Sequence, residues 1–592
     1  LEYNYDAPSP TCTDPFTGGP ELAQVCTANT LTLFLTILNT LVELNPKIGD
    51  PFKCGAAGAA VAARLSEIPE WKILLLEAGP DETAGMDIPA NYGVYLGTDL
   101  DWNYKTSNES HACLAQNGTC GWPRGRNLGG TTAHNGMAYQ RGHAADYTRW
   151  FEWGNVGWSW TDVLPFFKKS EDNQEIGRVG SVYHGTGGPM SVERFPWQPA
   201  IAESILEAAD ETGYGTSEDL AGAKITGFTI AQTMSKNGVR KSSASAFLRP
   251  IRDRRNLDIA LNATATKIVT RRKKVHSVEF ALNGEIRSAK VKREVVISGG
   301  AVNSPQLLLL SGIGPADELE KLGIPVVLDL PGVGKNLHNH VSYGIDYTVP
   351  TRRLTSYDND DIDLYLSNQT GPLSSTGLAQ MTGILPSRFT TPDDPDMQFF
   401  FSGYQEACVF HTARDGKLSG TDEAVRFTAV NLHTKSRGAI SLATKNPLEH
   451  PIIWSNDLAD PADIEVLIEG IHVLQKIANS SAMRKTGLQL SMTPAPQCSD
   501  YEFLSDDYFR CDVRWHTRTE AHQAGSCKMG PASDPMAVVD PELRVHGIEG
   551  LRVADASIMP QVISGNTNAP TTMIGERAAD FIKKTHAKCK YT

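Results

Sequence analysis

The sequence lacks the features that mark several common protein classes. It has no long basic run and carries a formal net charge of −13 over 592 residues, which argues against a nucleic-acid partner. The short basic cluster at residues 271–274 is interpreted as an exposed turn between two strands. No apolar run is long enough to span a bilayer. The best candidate, residues 31–44, is too short and includes Thr and Asn, so it predicts a buried helix.

Other absences narrow the chemistry. The chain has no Gly-x-Ser-x-Gly elbow and no convincing cluster of metal ligands, so neither a serine-hydrolase nucleophile nor a metal site is predicted. No internal repeat or low-complexity region stands out. The length instead predicts either two to four structural units or one large α/β body with an inserted second domain.

The N-terminus lacks the charged segment of a signal peptide, because the chain begins at Leu1. Two pairs among the ten cysteines flank polar loops: Cys113 with Cys120, and Cys498 with Cys511. Two of the five Asn-x-Ser/Thr sequons bracket the first loop. The sequons lie at Asn108, Asn117, Asn262, Asn368 and Asn479. We therefore expect a mature secreted protein; a reduced cytosolic enzyme with stray cysteines is the alternative. The sequence fixes neither the disulfide connectivity nor the oligomeric state.

Alternating helix and strand patterns occur at both ends and in the middle of the chain. Residues 59–67 predict a helix, and the apolar run 72–79 predicts a strand of a parallel sheet that is buried on both faces. Strands are also predicted at 293–300 and 551–557, each followed by a helix. Segments with β-like alternation lie between them. The pattern predicts an α/β fold in which a discontinuous, Rossmann-like nucleotide-binding domain contains an inserted β-rich substrate domain.

A dinucleotide-binding fingerprint is present in part. Gly55-Ala-Ala-Gly58 leads into the first helix, where a pyrophosphate can bind free N–H groups at the helix N-terminus. Glu77 ends the next strand, 19 residues after Gly58, where an acid can hydrogen-bond a ribose hydroxyl. The first strand and the first glycine are missing. Lys53 takes the glycine position, and Pro51 argues against a central strand.

Four longer segments, residues 122–142, 300–315, 522–530 and 551–582, resemble the signatures of the GMC (glucose–methanol–choline) oxidoreductases. The resemblance covers nearly the whole chain after about residue 45. It is strongest to the secreted insect branch, with its glucose dehydrogenase-like and salicyl alcohol oxidase-like proteins. It implies an N-terminal helical segment (1–45), a GMC N-terminal region (46–345), a substrate-domain segment (346–432) and a GMC C-terminal region (433–592).

Two positions depart from that family. His134 stands where the first signature normally has an aliphatic residue. Relatives also have a run like YDFIVVGAG before the phosphate turn, and about eight residues of it are missing here. Because the fingerprint resumes in register at Gly55, this pattern resembles a deletion of the first Rossmann strand.

The resemblance implies FAD as the cofactor and assigns site residues. His522 matches the catalytic histidine, whose reference pKa suits proton acceptance near neutral pH, and Asn568 matches its partner. Asp555 ends a buried strand, where a carboxylate needs a donor nearby. The residues implied to contact FAD are Gly55, Gly58, Glu77, Gly129, Gly130, Thr131, Asn135, Gly136, Met137, Ala138, Ala265, Asp555, Ala556, Asn566 and Thr567.

Three further residues are interpreted conservatively. His338 and His340 lie in GKNLHNH, where relatives carry GKNLQDH, and are interpreted as a loop pair with a shared non-metal role. Cys527 is close to His522 in the sequence, and is interpreted as a buried structural thiol rather than a redox group.

Two functions remain open at this stage. The first is oxidation of a primary or secondary alcohol to an aldehyde or ketone, by hydride transfer to flavin N5, with oxygen or a quinone as electron acceptor. An aromatic alcohol such as salicyl alcohol is the preferred substrate, from the resemblance alone. The alternative is an inactive paralogue that fails to bind FAD because the first strand is missing. A third possibility is that residues 48–53 serve as a very short strand and restore partial binding.

Overall fold

The structure, a computed structural model, describes residues 55–350, 359–404 and 422–587. Two of the expectations above, the buried helix at 31–44 and the deleted or shortened strand before Gly55, lie outside the described residues. Within the described part, no helix has both the length and the apolar character needed to cross a membrane.

The helices that carry the nucleotide-binding pattern form where the sequence predicts them. The first described helix, Ala56–Leu65, is rich in alanine and packs against the last, Asn568–Ala587. Their backbones approach closely, because a Cβ at Gly575 would lie 2.6 Å from the Ala57 carbonyl oxygen. The other described α-helices are Ala144–Glu152, Trp160–Ser170, Ile176–Val179, Ile201–Glu211, Ser243–Phe247, Gly300–Leu310, Ala316–Lys321, Asn359–Asn368, Ala462–Ala478, Ser481–Lys485 and Asp506–His516.

Parallel strands occur as two separate pairs. Ile73–Leu76 pairs with Leu257–Ala260, and Val295–Ile297 pairs with Leu551–Val553. No strand within the described residues joins the two pairs. The prediction that the run 72–79 is buried on both faces is wrong at Leu74, which is 47% exposed. The reason is physical: among the described strands, Ile73–Leu76 has a neighbour on one edge only.

A seven-stranded antiparallel sheet forms the β-rich part. Its strands lie in the order Gln489–Leu490, Val341–Pro350, Asp422–Asn431, Met397–Ser402, Met381–Leu385 and Gly227–Ile230, and Arg518–Thr519 also pairs with Val341–Pro350. Helix Ala462–Ala478 packs on this sheet through a nearly continuous apolar face. The pairing of Val341 with Thr519 matters for function, because it brings the segments around His340 and His522 together.

A second antiparallel sheet contains Ala263–Arg271, Lys274–Leu282 and Glu285–Lys290. Arg272 and Lys273 form its exposed turn with positive φ angles, which confirms the prediction for the basic cluster. Short strand pairs complete the fold: Tyr104–Lys105 with Gly121–Trp122, Glu171–Asn173 with Met190–Val192, Ser235–Lys236 with Val239–Arg240, Ile313–Gly314 with Leu328–Asp329, and Ala439–Ser441 with Ile452–Trp454.

Disulfide bonds close both of the predicted cysteine loops. Cys113 bonds Cys120, and Cys498 bonds Cys511. Cys527 is a buried free thiol, and burial raises its pKa well above the ordinary value. The thiol is therefore neutral and unreactive, as expected for a structural residue.

Candidate active site

A cavity of about 1410 Å³ lies between the parallel strands and the antiparallel sheet. Glu77 and Asp555, which follow parallel strands, line it, as ligand-binding residues of α/β folds do. Every residue predicted for the cofactor and catalytic sites lines this cavity except Gly129. Gly129 instead shapes the neighbouring turn at φ 98°, and a Cβ there would lie 2.3 Å from Glu82 Oε1.

The glycine turn before helix Ala56–Leu65 leaves room for an anion. The helix has no side-chain cap at Gly55 and no acidic residue in its first turn, so its first N–H groups have no such partner. A Cβ built on Gly55 would meet nothing within 4 Å, so the space beside this residue is open. The turn at Gly130 lies close to Gly55, because a Cβ built on Gly130 would lie 3.5 Å from the Gly55 Cα. This arrangement suits a phosphate group at the N-terminus of the helix.

Two buried or partly buried carboxylates, Glu77 and Asp555, line the same cavity as the glycine turn. Burial raises the pKa of Glu77 to about 7, and Glu77 Oε1 accepts a hydrogen bond from the Gly79 N–H. Asp555 is buried but satisfied, since it accepts hydrogen bonds from the N–H groups of Gly300 and Ser557. The Ser304 hydroxyl also donates to Asp555 Oδ2, so the donors expected near this carboxylate are both backbone and side chain.

His522 lines the cavity, and each of its ring nitrogens lies within hydrogen-bonding distance of a neighbouring side chain. Its Nε2 is 3.1 Å from Asn566 Nδ2, and its Nδ1 is 3.0 Å from His340 Nδ1. Burial and the nearby Arg124 guanidinium lower the pKa of His522 to about 3, so the ring is neutral at physiological pH. Arg124 is held by a hydrogen bond to the Ala521 carbonyl.

Asn568, the predicted partner of His522, begins the last helix and lines the same cavity. Its Nδ2 points toward Met234 Sδ at 3.1 Å, and its Oδ1 has no hydrogen-bond partner among the described residues. Of the two asparagines, it is Asn566 that contacts His522, and the resemblance assigned Asn566 to the flavin side. Sequence reasoning missed Arg124 and His340. The HxH pair was a signal for the second of these.

His134, the departure from the first signature, is accommodated as a neutral buried ring. Its Nε2 is 2.7 Å from Asn127 Oδ1, and its edge packs against Tyr95. Burial and Arg240 lower its pKa to about 3. A polar ring replaces the aliphatic side chain here without introducing a charge.

A buried polar cluster supports the loop that carries Asn566. Asp146 accepts hydrogen bonds from the N–H and the hydroxyl of Ser564, and His433 Nε2 is 2.8 Å from the same hydroxyl. Asp146, His433 and Asp394 are close enough together to hold a metal ion. Arg149 already supplies a cation, because it donates to both carboxylates.

Comparison with known proteins identifies the family. The family model described as GMC oxidoreductase matches residues 55–342, and its C-terminal counterpart matches 434–575. The glucose dehydrogenase [FAD, quinone] of Drosophila melanogaster is 44% identical over 96% of this chain and 94% of its own length. The mitochondrial choline dehydrogenase of Homo sapiens is 38% identical over 89% and 88%. The chain belongs to the GMC oxidoreductase family.

Solved structures agree with this assignment. Pyridoxine 4-oxidase from Mesorbium loti has a TM-score of 0.77 at 26% identity and matches 90% of this chain and 98% of its own. A fungal aryl-alcohol oxidase shares the fold, with a TM-score of 0.75 at 23% identity over 90% of this chain and 98% of its own. The predicted fold class is confirmed.

This GMC oxidoreductase is an FAD-dependent enzyme that oxidises alcohols, and the described residues fit its cofactor. The open helix N-terminus at Gly55 suits the pyrophosphate, Glu77 suits a ribose hydroxyl, and His522 lines the same cavity. The comparisons favour this activity over the inactive paralogue. The deletion of the first strand stays a prediction, because the residues before Gly55 lie outside the described part of the chain.

Proposed function

We propose that the enzyme oxidises a small alcohol with His522 as the proton acceptor and Asn568 as the hydrogen-bond donor to the alcohol oxygen. When bound, FAD supplies the acceptor for the hydride that leaves the carbinol carbon. The hydroxyl proton passes to His522 Nε2. Burial keeps the His522 ring neutral, so this nitrogen can accept the proton. The Asn568 amide, at the first turn of the last helix, then stabilises the charge that develops on oxygen.

One observation carries this proposal. His522, Asn566 and Asn568 line one cavity together with the glycine turn and Glu77, so an alcohol beside His522 shares a chamber with the cofactor site. A cavity of about 1410 Å³ exceeds the roughly 300–1,000 Å³ of ordinary ligand pockets, which leaves room for a dinucleotide and a substrate.

Two substrate classes fit the walls of the cavity. Tyr92, Trp102 and Phe400 offer aromatic surface, which favours an aromatic alcohol such as salicyl alcohol through offset stacking. Glu520 and Arg518 offer polar contacts, and the relatives named glucose dehydrogenase make a sugar the second candidate. Those relatives' names also favour a quinone over oxygen as the electron acceptor.

The test is anaerobic bleaching of the visible flavin band of the purified holoenzyme by salicyl alcohol, benzyl alcohol, glucose and choline. We expect the aromatic alcohols to bleach the band fastest and glucose more slowly. Reoxidation with a soluble quinone should be faster than with dissolved oxygen. A flavin band that none of the alcohols bleaches would overturn the proposed activity, and rapid bleaching by glucose alone would reverse the order of the substrates.

We further propose that the enzyme is secreted and glycosylated. All five sequon asparagines are exposed, as N-glycosylation requires. After expression through a eukaryotic secretory pathway, peptide-N-glycosidase should convert these asparagines to aspartate, as read by peptide mass spectrometry. Asn283, which is exposed but outside any sequon, is the internal control. Unmodified peptides at all five sites would contradict the proposal.

A further inference from the structure

His340 forms a hydrogen-bonded pair with His522 inside the protein. The two rings are nearly perpendicular, at 84° and 5.1 Å between centroids, and their Nδ1 atoms are 3.0 Å apart. A hydrogen bond between two imidazole nitrogens needs one N–H and one lone pair. The two neutral rings must therefore carry their protons on different atoms.

The contact between His522 Nε2 and Asn566 indicates which of the two rings donates the hydrogen bond. Gln398 Nε2 donates to Asn566 Oδ1 at 3.1 Å, so the amide nitrogen of Asn566 is the atom that faces His522. That nitrogen lies 3.1 Å from His522 Nε2. Because an amide N–H only donates, Nε2 is the acceptor, and the proton of the neutral His522 ring lies on Nδ1.

We infer that His340 is a positioning residue: its Nδ1 accepts the Nδ1–H of His522 and so keeps the His522 Nε2 as the lone-pair nitrogen. In this structure Nε2 accepts the Asn566 N–H, and a bound alcohol hydroxyl takes the place of that N–H as the donor. This inference rests on the proposed role of His522 as proton acceptor. It also assigns a role to His340, the second histidine of the HxH motif.

The state of His340 agrees with this role. Burial and the neighbouring His522 lower its pKa well below the ordinary value, so the ring is neutral and keeps a lone pair on one nitrogen. The nearby backbone of Leu432 opposes this lowering and favours a proton on the ring, while Nε2 has no hydrogen-bond partner among the described residues. With that proton on Nε2, Nδ1 is free to accept from His522.

The backbone holds the pair in register. His340 immediately precedes strand Val341–Pro350, whose first residue pairs with Thr519, and the Glu520 N–H donates to the His340 carbonyl. The His522 N–H donates to Asn339 Oδ1. Asn339 and His340 thus fix the backbone around His522. With the backbone held in this way, His340 can select a single tautomer of the His522 ring.

His338 serves the same region by a different contact. Its Nε2 accepts the Val562 N–H at 2.8 Å, which anchors the loop that carries Asn566. The two histidines of the motif therefore support the site in two ways: His340 contacts His522, and His338 anchors the loop that carries Asn566.

The test compares two substitutions of His340 in the FAD-loaded enzyme. In H340L the buried Nδ1–H of His522 loses its acceptor, which favours the wrong tautomer. We expect the limiting rate of flavin reduction by alcohol to fall roughly 10–100-fold, as for residues that orient a metal-binding imidazole, with the substrate dissociation constant little changed. H340N places an amide oxygen near the Nδ1 position and should recover most of the rate. H472L, at an exposed histidine, is the matched control.

Each outcome decides the matter. Full activity in H340L, with H522N impaired, would overturn the positioning role alone. Full activity in H522N would overturn the proposed base and the positioning role together. Equal losses in H340L and H340N, with the flavin band retained, would show a merely structural role. If H340L loses its flavin, ¹⁵N-histidine NMR of the unmodified enzyme decides: a protonated Nε2 on His522, assigned by its loss in H522N, would contradict the inference.

Discussion

Replacing His522 with asparagine is expected to lower the limiting rate of flavin reduction by alcohol by roughly 10²–10⁴-fold, the usual contribution of a general base. Asparagine keeps similar volume and polarity but cannot take a proton at neutral pH. The glycine turn and Glu77 are untouched, so the protein should keep its visible flavin band. Stopped-flow reduction under anaerobic conditions measures the rate, and absorbance before mixing measures the bound flavin.

The control for this variant is H472N, at a histidine that is about half exposed and pairs with Asp506. Its rate should match that of the unmodified enzyme. A rate in H522N within about threefold of the unmodified enzyme, far short of the loss expected for a general base, would contradict the assignment. Asn568 would then become the leading candidate to interact with the alcohol, because its Oδ1 has no hydrogen-bond partner in the described part of the chain.

Residues that follow strand ends were the most predictable part of the site. Glu77 and Asp555 each end a short apolar run, and carboxyl ends of parallel strands meet at one edge of a sheet, so their shared cavity could be expected. His522 was predicted from a motif rather than from pattern. Its place in the same cavity as the glycine turn depends on how distant segments of the chain fold together.

The contacts of His522 could not be predicted from the sequence. Asn566 lies in an irregular loop, and whether it or Asn568 faces the histidine depends on where the last helix begins. His340 reaches His522 only through the antiparallel register between Val341 and Thr519, which joins segments far apart in the chain. No local periodicity reports such a register, since it is set by packing of the whole sheet.

Leu74 shows the opposite case, in which the sequence pattern was clear and the structure differs. Its run reads as a strand with both faces covered, yet the side chain is 47% exposed and lines the large cavity. Across that cavity, Val295 and Val296 are also only partly buried. In the described part of the chain, the two parallel pairs thus leave apolar surface between them, where the sequence predicts that the first strand is missing.

Inserting a strand-forming segment such as YDFIVVGA before Gly55 is therefore expected to strengthen FAD binding by roughly tenfold or more, or at least about 1.4 kcal/mol. The inserted strand would enter the phosphate turn directly, where the present chain has Pro51 and Lys53. It would also cover Leu74, and burial of one such side chain is worth about 1.5–3 kcal/mol of folding free energy. The melting temperature should rise as well.

Titration of the flavin-depleted protein with FAD measures the affinity, and differential scanning calorimetry measures the stability. The matched control is an eight-residue Gly/Ser insert at the same position, which lengthens the chain but forms no strand and buries no apolar surface. Equal affinity and melting temperature in the two insertion variants would show that chain length, and not a strand beside Ile73–Leu76, is what the turn requires. Unchanged affinity in both would show that the N-terminal part of this chain already supports the turn at Gly55 fully.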